Sequence, residues 1–77
     1  MPPRLEGDPA LGRVVRQLRE ARQLTQEELA SRAGVTFGTV SRLESAKSAP
    51  AWATVRRIIA ALDASLADLA AAIEAES

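Results

Sequence analysis

The sequence contains no cysteine and no histidine. Without cysteine, neither a disulfide nor a thiolate-bound metal can staple the fold. Without histidine, the chain lacks the commonest general base and metal ligand. The carboxylates are scattered and nothing pairs a nucleophile with a base, so no enzymatic centre, metal site or cofactor is expected. No apolar run approaches the roughly 18 residues of a membrane span, and no signal-peptide pattern is present. The expectation is a soluble chain, cytoplasmic by default. No stretch alternates with the period of a strand, and no segment repeats. Seventy-seven residues allow one domain, with only a few kcal/mol of core stabilisation, so a second subunit would help.

Net charge is also absent, which taken alone argues against a polyanionic partner. Its distribution argues the other way. All ten Lys and Arg lie between Arg4 and Arg57, opposed there by six acids, a net of +4. From Asp63 to Ser77 there are four acids and no base. One end of the molecule is positive and the other negative, an asymmetry that orients a protein on a polyanion.

What is present is helical patterning. The first ten residues hold three of the four prolines and show no periodicity, and residues 1–8 read as a flexible tail ahead of a domain over residues 9–75. Asp8 followed by Pro9 signals a capped helix start. Leu11, Val14, Val15, Leu18 and Ala21 then recur at helical spacing, so a first helix spans about Pro9 to Gln23. Arg13, Arg16 and Arg22 fall off this stripe, on a solvated face. Thr25 with Glu28 forms a capping box, and Leu29, Ala30 and Ala33 give the second helix its apolar side. Gly34 supplies the positive φ that the turn needs. Thr36 caps a third helix with Val40 and Leu43 inward. Pro50 precedes a fourth, about Ala51–Leu62, whose stripe is Trp52, Val55, Ile58, Ile59 and Leu62. Trp52 is placed in the core on this pattern. Ser65 with Asp68 opens a fifth, with Leu66, Leu69, Ala70 and Ile73 on one side. The fold class is all-α, a five-helix bundle in which helices 2 and 3 make a helix-turn-helix.

The helical period sets the outward face of the third helix. With Val40 and Leu43 inward, Gly38, Ser41, Arg42 and Ser45 point away, flanked by Phe37 and Thr39. A rod of about 13 Å with small polar groups and one arginine fits a major groove about 12 Å wide.

The run LREARQLTQEELASRAGVTFGTVSRLE, then Pro50 and TVRRIIAALDASLADL, resembles the phage-repressor (Cro/Xre-type) helix-turn-helix domain, over roughly Leu11 to Leu69. The resemblance implies a lambda-repressor-like fold that binds double-stranded operator DNA as a two-fold dimer, with residues 36–45 in the major groove. On that likeness Phe37, Gly38, Ser41 and Arg42 face base edges, and Arg42 pairs with guanine. Gln26 matches a position that touches the DNA backbone and at times a base. Thr25, Thr36, Ser45 and Lys47 match positions near phosphates. Arg19 and Glu44 match a buried salt bridge that locks the first helix to the recognition helix.

Three departures stand out. Ala46 and Asp63 sit where the family has glycine, so the turn at Ala46 is either strained or reshaped. Asp63 is better tolerated in a left-handed conformation. Phe37 and Gly38 replace the usual polar residues; Phe37 either touches a thymine methyl or folds back onto the domain. Ile59, Leu66, Ala70 and Ile73 are expected to form a homodimer contact, the alternative being intramolecular core. Two functions remain: a dimeric transcriptional repressor, or an antitoxin that neutralises a toxin partner and regulates its own operon.

Overall fold

The computed structural model describes residues 8–76, so the tail expected over residues 1–8 lies outside the described residues except for Asp8. Helices α1 (Pro9–Ala21), α2 (Gln26–Ala33), α3 (Phe37–Glu44), α4 (Trp52–Ala61) and α5 (Leu66–Ala75) follow one another, and no strand occurs among the described residues.

Each start has a chemical cause, with one exception. The Asp8 carboxylate accepts from the Ala10 and Leu11 N–H groups at 2.9 and 3.4 Å. Thr25 and Glu28 form a complete capping box, as do Ser65 and Asp68. The Thr36 hydroxyl accepts from the Thr39 N–H at 3.2 Å. Such caps satisfy donors that a helix leaves unpaired in its first turn. Ala51, ahead of α4, supplies no side-chain cap.

The first four helices share one kind of ending. Leu24 donates to the Arg19 carbonyl (3.1 Å) and Gln23 to Glu20 (2.9 Å). The same pair of bonds recurs from Val35 and Gly34, from Lys47 and Ala46, and from Ala64 and Asp63. This closure requires a left-handed residue at its centre. The four are Gln23 (φ 58°), Gly34 (φ 71°), Ala46 (φ 59°) and Asp63 (φ 54°). Ala46 therefore keeps the turn shape and carries the strain. Gln23, expected inside α1, lies two residues past its end, because this closure takes the chain out of the helix.

α1 packs on α3 and α5, α2 on α3 and α4, and α4 on α5. Val14, Val15, Leu29, Val40, Leu43, Val55, Ile58 and Leu62 fill the centre. Gly12 lies where α1 meets the end of α3; a Cβ there would stand 2.7 Å from the carbonyl oxygens of Leu43 and Glu44. Two expectations are corrected. Trp52 is 60% exposed rather than core. It is the first residue of α4, and helical side chains lean toward the N-terminus, so its indole reaches past the helix end. Ile59 is 2% exposed and packs inside, so it is not a dimer contact. It belongs to the core with Ile58 and Leu62, so almost none of its surface is left to meet a second subunit.

Replacing Ala46 by glycine relieves about 1–2 kcal/mol of left-handed strain against about 0.5–1 kcal/mol of added chain entropy. The expected outcome is a gain of up to about 1.5 kcal/mol, read as a higher urea midpoint at constant slope. A second expectation concerns acid. Hydrogen bonds from the Thr25 backbone and hydroxyl lower Glu28 below its ordinary 4.5, and the Ser65 backbone and hydroxyl lower Asp68 below 3.8. The unfolded chain then takes up these protons first, so the capping contribution is whole above the ordinary values and lost as pH falls through the lowered ones. Glu28→Gln with Asp68→Asn should flatten the decline of the urea midpoint between about pH 5 and pH 2.

Candidate nucleic-acid interface

One side of α3 is sealed and the other is open. Val40 and Leu43 are fully buried, whereas Phe37, Arg42 and Ser45 are exposed and Gly38, Thr39 and Ser41 partly so. Phe37 is half exposed and lines the outer surface, so it does not fold back into the core. The helix is about 12 Å long, within the width of a major groove.

The side chains on this face are not equally available. The Thr36 and Thr39 hydroxyls hydrogen-bond to each other at 2.9 Å, at the leading end of α3. The Ser45 hydroxyl donates to the Ser41 carbonyl at 2.8 Å, leaving its lone pairs outward but its proton committed. A phosphate oxygen only accepts, so Ser45 must rotate to donate to one. Lys47 is exposed in the turn beyond, its backbone N–H closing α3 on the Arg42 carbonyl.

Beneath this face lies the interaction that sets its position. Arg19 on α1 donates from Nε to Glu44 Oε2 at 2.7 Å and from Nη2 to Oε1 at 3.0 Å. Its Nη1 donates to the Leu24 carbonyl at 2.7 Å. The two side chains are only 12% and 4% exposed. The hydrogen bond to Glu44 raises Arg19 above its usual value, so the guanidinium stays charged at any relevant pH. Gln26 adds a third donor, its Nε2 lying 3.1 Å from Glu44 Oε1. An ionised carboxylate only accepts, which fixes the amide with its oxygen turned away from Glu44.

An open concavity runs from the start of α2 to the outer face of α3, with Arg19 and Glu44 in its lining. Of the residues expected to meet DNA, Thr25, Gln26, Phe37, Ser41 and Ser45 line it. Gly38 and Arg42 lie on the same helix, Thr36 and Thr39 at its start, and Lys47 past its end. Two further residues join the lining. Glu27 brings a negative charge, and Arg16, read from the sequence as a solvated surface charge, stands at the rim 3.6 Å from Glu20. Arg16 is one helical turn before Arg19; once Arg19 is tied to α3, that spacing puts Arg16 beside the site. Among the described residues, no group of acidic side chains is arranged to hold a metal ion.

The sequence profile described as a helix-turn-helix domain matches residues 10–72. The chain belongs to the helix-turn-helix family. Among solved structures, it is similar to the clp gene regulator ClgR from Corynebacterium glutamicum, with 30% identity over 87% of this chain and 86% of that one and a TM-score of 0.81. The restriction-modification controller protein C.AhdI from Aeromonas hydrophila is 28% identical over 79% of this chain and 92% of its own, with a TM-score of 0.76. A transcriptional regulator of the HTH_3 family from Vibrio cholerae is 27% identical over 82% of this chain and 35% of that one, with a TM-score of 0.77. No curated protein is similar enough to match. The domain thus has the fold of helix-turn-helix DNA-binding transcriptional regulators, of the Xre-like group, with α2 and α3 as its helix-turn-helix. None of its described helices is long and apolar enough to cross a membrane.

Because Arg19 and Glu44 are largely shielded from solvent, removing one leaves the other short of a partner. Glu44→Ala should cost up to about 3 kcal/mol, the low end for a buried pair, a large share of the stability of so small a domain. The paired replacement Arg19→Met with Glu44→Leu should recover much of that loss in urea unfolding, since it leaves no unpaired charge.

Proposed function

We propose that this helix-turn-helix protein is a dimeric, sequence-specific transcriptional repressor acting in the cytoplasm on palindromic operator DNA. The observation that carries the reading is the open outer face of α3, held at a fixed tilt by the largely shielded Arg19–Glu44 pair. In the bound state α3 enters the major groove, and Ser41, Arg42 and Phe37 meet base edges. Gln26, Thr25, Thr36, Thr39, Ser45 and Lys47 border the sugar–phosphate strands, where backbone N–H groups at the starts of α2 and α3 add donors. Repression follows by occlusion: two recognition helices about 34 Å apart cover successive grooves and exclude polymerase.

Dimerisation is assigned to α5. Leu66 is 42% exposed, Ala70 is exposed and Ile73 partly so, a row at helical spacing on an element carrying acids and no base. At its end this helix meets α1, where Arg13 pairs with Glu76 at 3.2 Å, so part of its acidity is matched within the chain. No cofactor, metal or catalytic role enters this reading. The antitoxin alternative rests on the zero net charge and the apolar, acidic α5 alone, and the three similar structures named above are gene regulators or controller proteins instead.

The folded protein should select a palindrome from a random DNA pool, with affinity falling by orders of magnitude between about 50 and 200 mM salt. Leu66→Glu should yield a folded monomer by sedimentation and lose most affinity for the full palindrome. A folded dimer that enriches no sequence at low salt would rule out the operator reading.

A further inference from the structure

Gly38 is the second residue of α3, a place where most side chains would strengthen the helix and glycine weakens it. The space a side chain would take is filled by the chain itself. A Cβ at residue 38 would stand 3.0 Å from Arg42 Nη1, 3.6 Å from Cζ and 3.8 Å from Nη2. All three atoms belong to the guanidinium, which lies back over Gly38 one helical turn from its own backbone. Long side chains on a helix lean toward the N-terminus in this way, and a residue four places earlier is what they meet.

From this geometry we propose that Gly38 is a positioning residue: it acts on DNA through Arg42, by leaving the guanidinium room to lie close to the α3 backbone. The proposal rests on the operator reading above and departs from what the family resemblance implied, since Gly38 is there to admit the protein's own arginine rather than a base edge. A Cβ at 3.0 Å is tighter than ordinary contact, so the guanidinium must move by a few tenths of an ångström. It is the free end of a flexible exposed side chain, so the move costs the fold little. It matters for recognition, because a bidentate arginine–guanine pair needs both N–H groups aligned within hydrogen-bond geometry. Glycine therefore tunes which base Arg42 prefers, and the weakened helix start is the accompanying cost.

The test measures discrimination at single base pairs of the palindrome selected by the wild-type protein. Gly38→Ala, Arg42→Ala and the double variant are compared by competition binding, with thermal melting alongside. Wild type should prefer guanine at one half-site position by at least about fivefold. Gly38→Ala should cut that preference severalfold, leave the other positions unchanged, and melt at the wild-type temperature or above it. In the Arg42→Ala background the glycine replacement should change no base preference. A uniform loss at every position, a loss that persists without Arg42, or a lowered melting temperature would overturn the proposal. Wild type that selects no sequence at all would instead remove the operator reading on which it stands.

Discussion

The Arg19 guanidinium grips both carboxylate oxygens of Glu44 and the carbonyl of Leu24 at once, so three parts of the chain meet at one charged group. One is the last turn of α1, one the last residue of α3, and one the link into α2. A planar fork with fixed donor directions permits little rotation of α3 about its long axis. The surrounding backbone leaves little slack either, because Gly12 admits the end of α3 to within contact of α1. Buried ion pairs are weak contributors to net stability, since desolvation offsets most of their attraction. Their use here is geometric: the pair dictates which side of α3 stays open. Gln26 extends the same constraint to α2 by donating to Glu44, so the groove between the two helices is fixed from below.

Charge complements this geometry. The bases lie in the first four helices, the links between them and the preceding segment, and the charged residues of the last helix are all acids. Arg13 on α1 pairs with Glu76 at 3.2 Å, so part of this separation cancels in space, and what remains gives a neutral protein a field with direction near the Debye length. Glu27 in the concavity shows that the positive end is not uniformly so. Affinity in such a surface comes from aligned donors and from a few bases rather than from bulk charge.

The helix boundaries were largely legible because they depend on local chemistry. Asp8, Thr25, Thr36 and Ser65 cap as their sequence patterns imply, and Gly34 turns the chain where a positive φ is needed. The left-handed turn at Gln23 was not legible, since glutamine carries no turn signal; the closure is recognised only from its two backbone bonds. Trp52 and Ile59 mark the limit of periodicity. Both lie on one apolar stripe, yet the first sits at a helix end and escapes the core while the second is sealed inside. Arg16 escaped notice because its neighbourhood is made by Arg19 reaching across to α3.

Sequence alone determined the all-α character, the order of the helices, their caps and the inward residues of α3, because each depends on groups a few positions apart. The tertiary structure decided which apolar residues stay exposed, which hydroxyls are already engaged, and that the Arg42 guanidinium overlies Gly38. These depend on where helix ends fall and on which rotamer leaves a side chain its partners. Spacing along a chain states which residues share a face. Only packing states what that face meets.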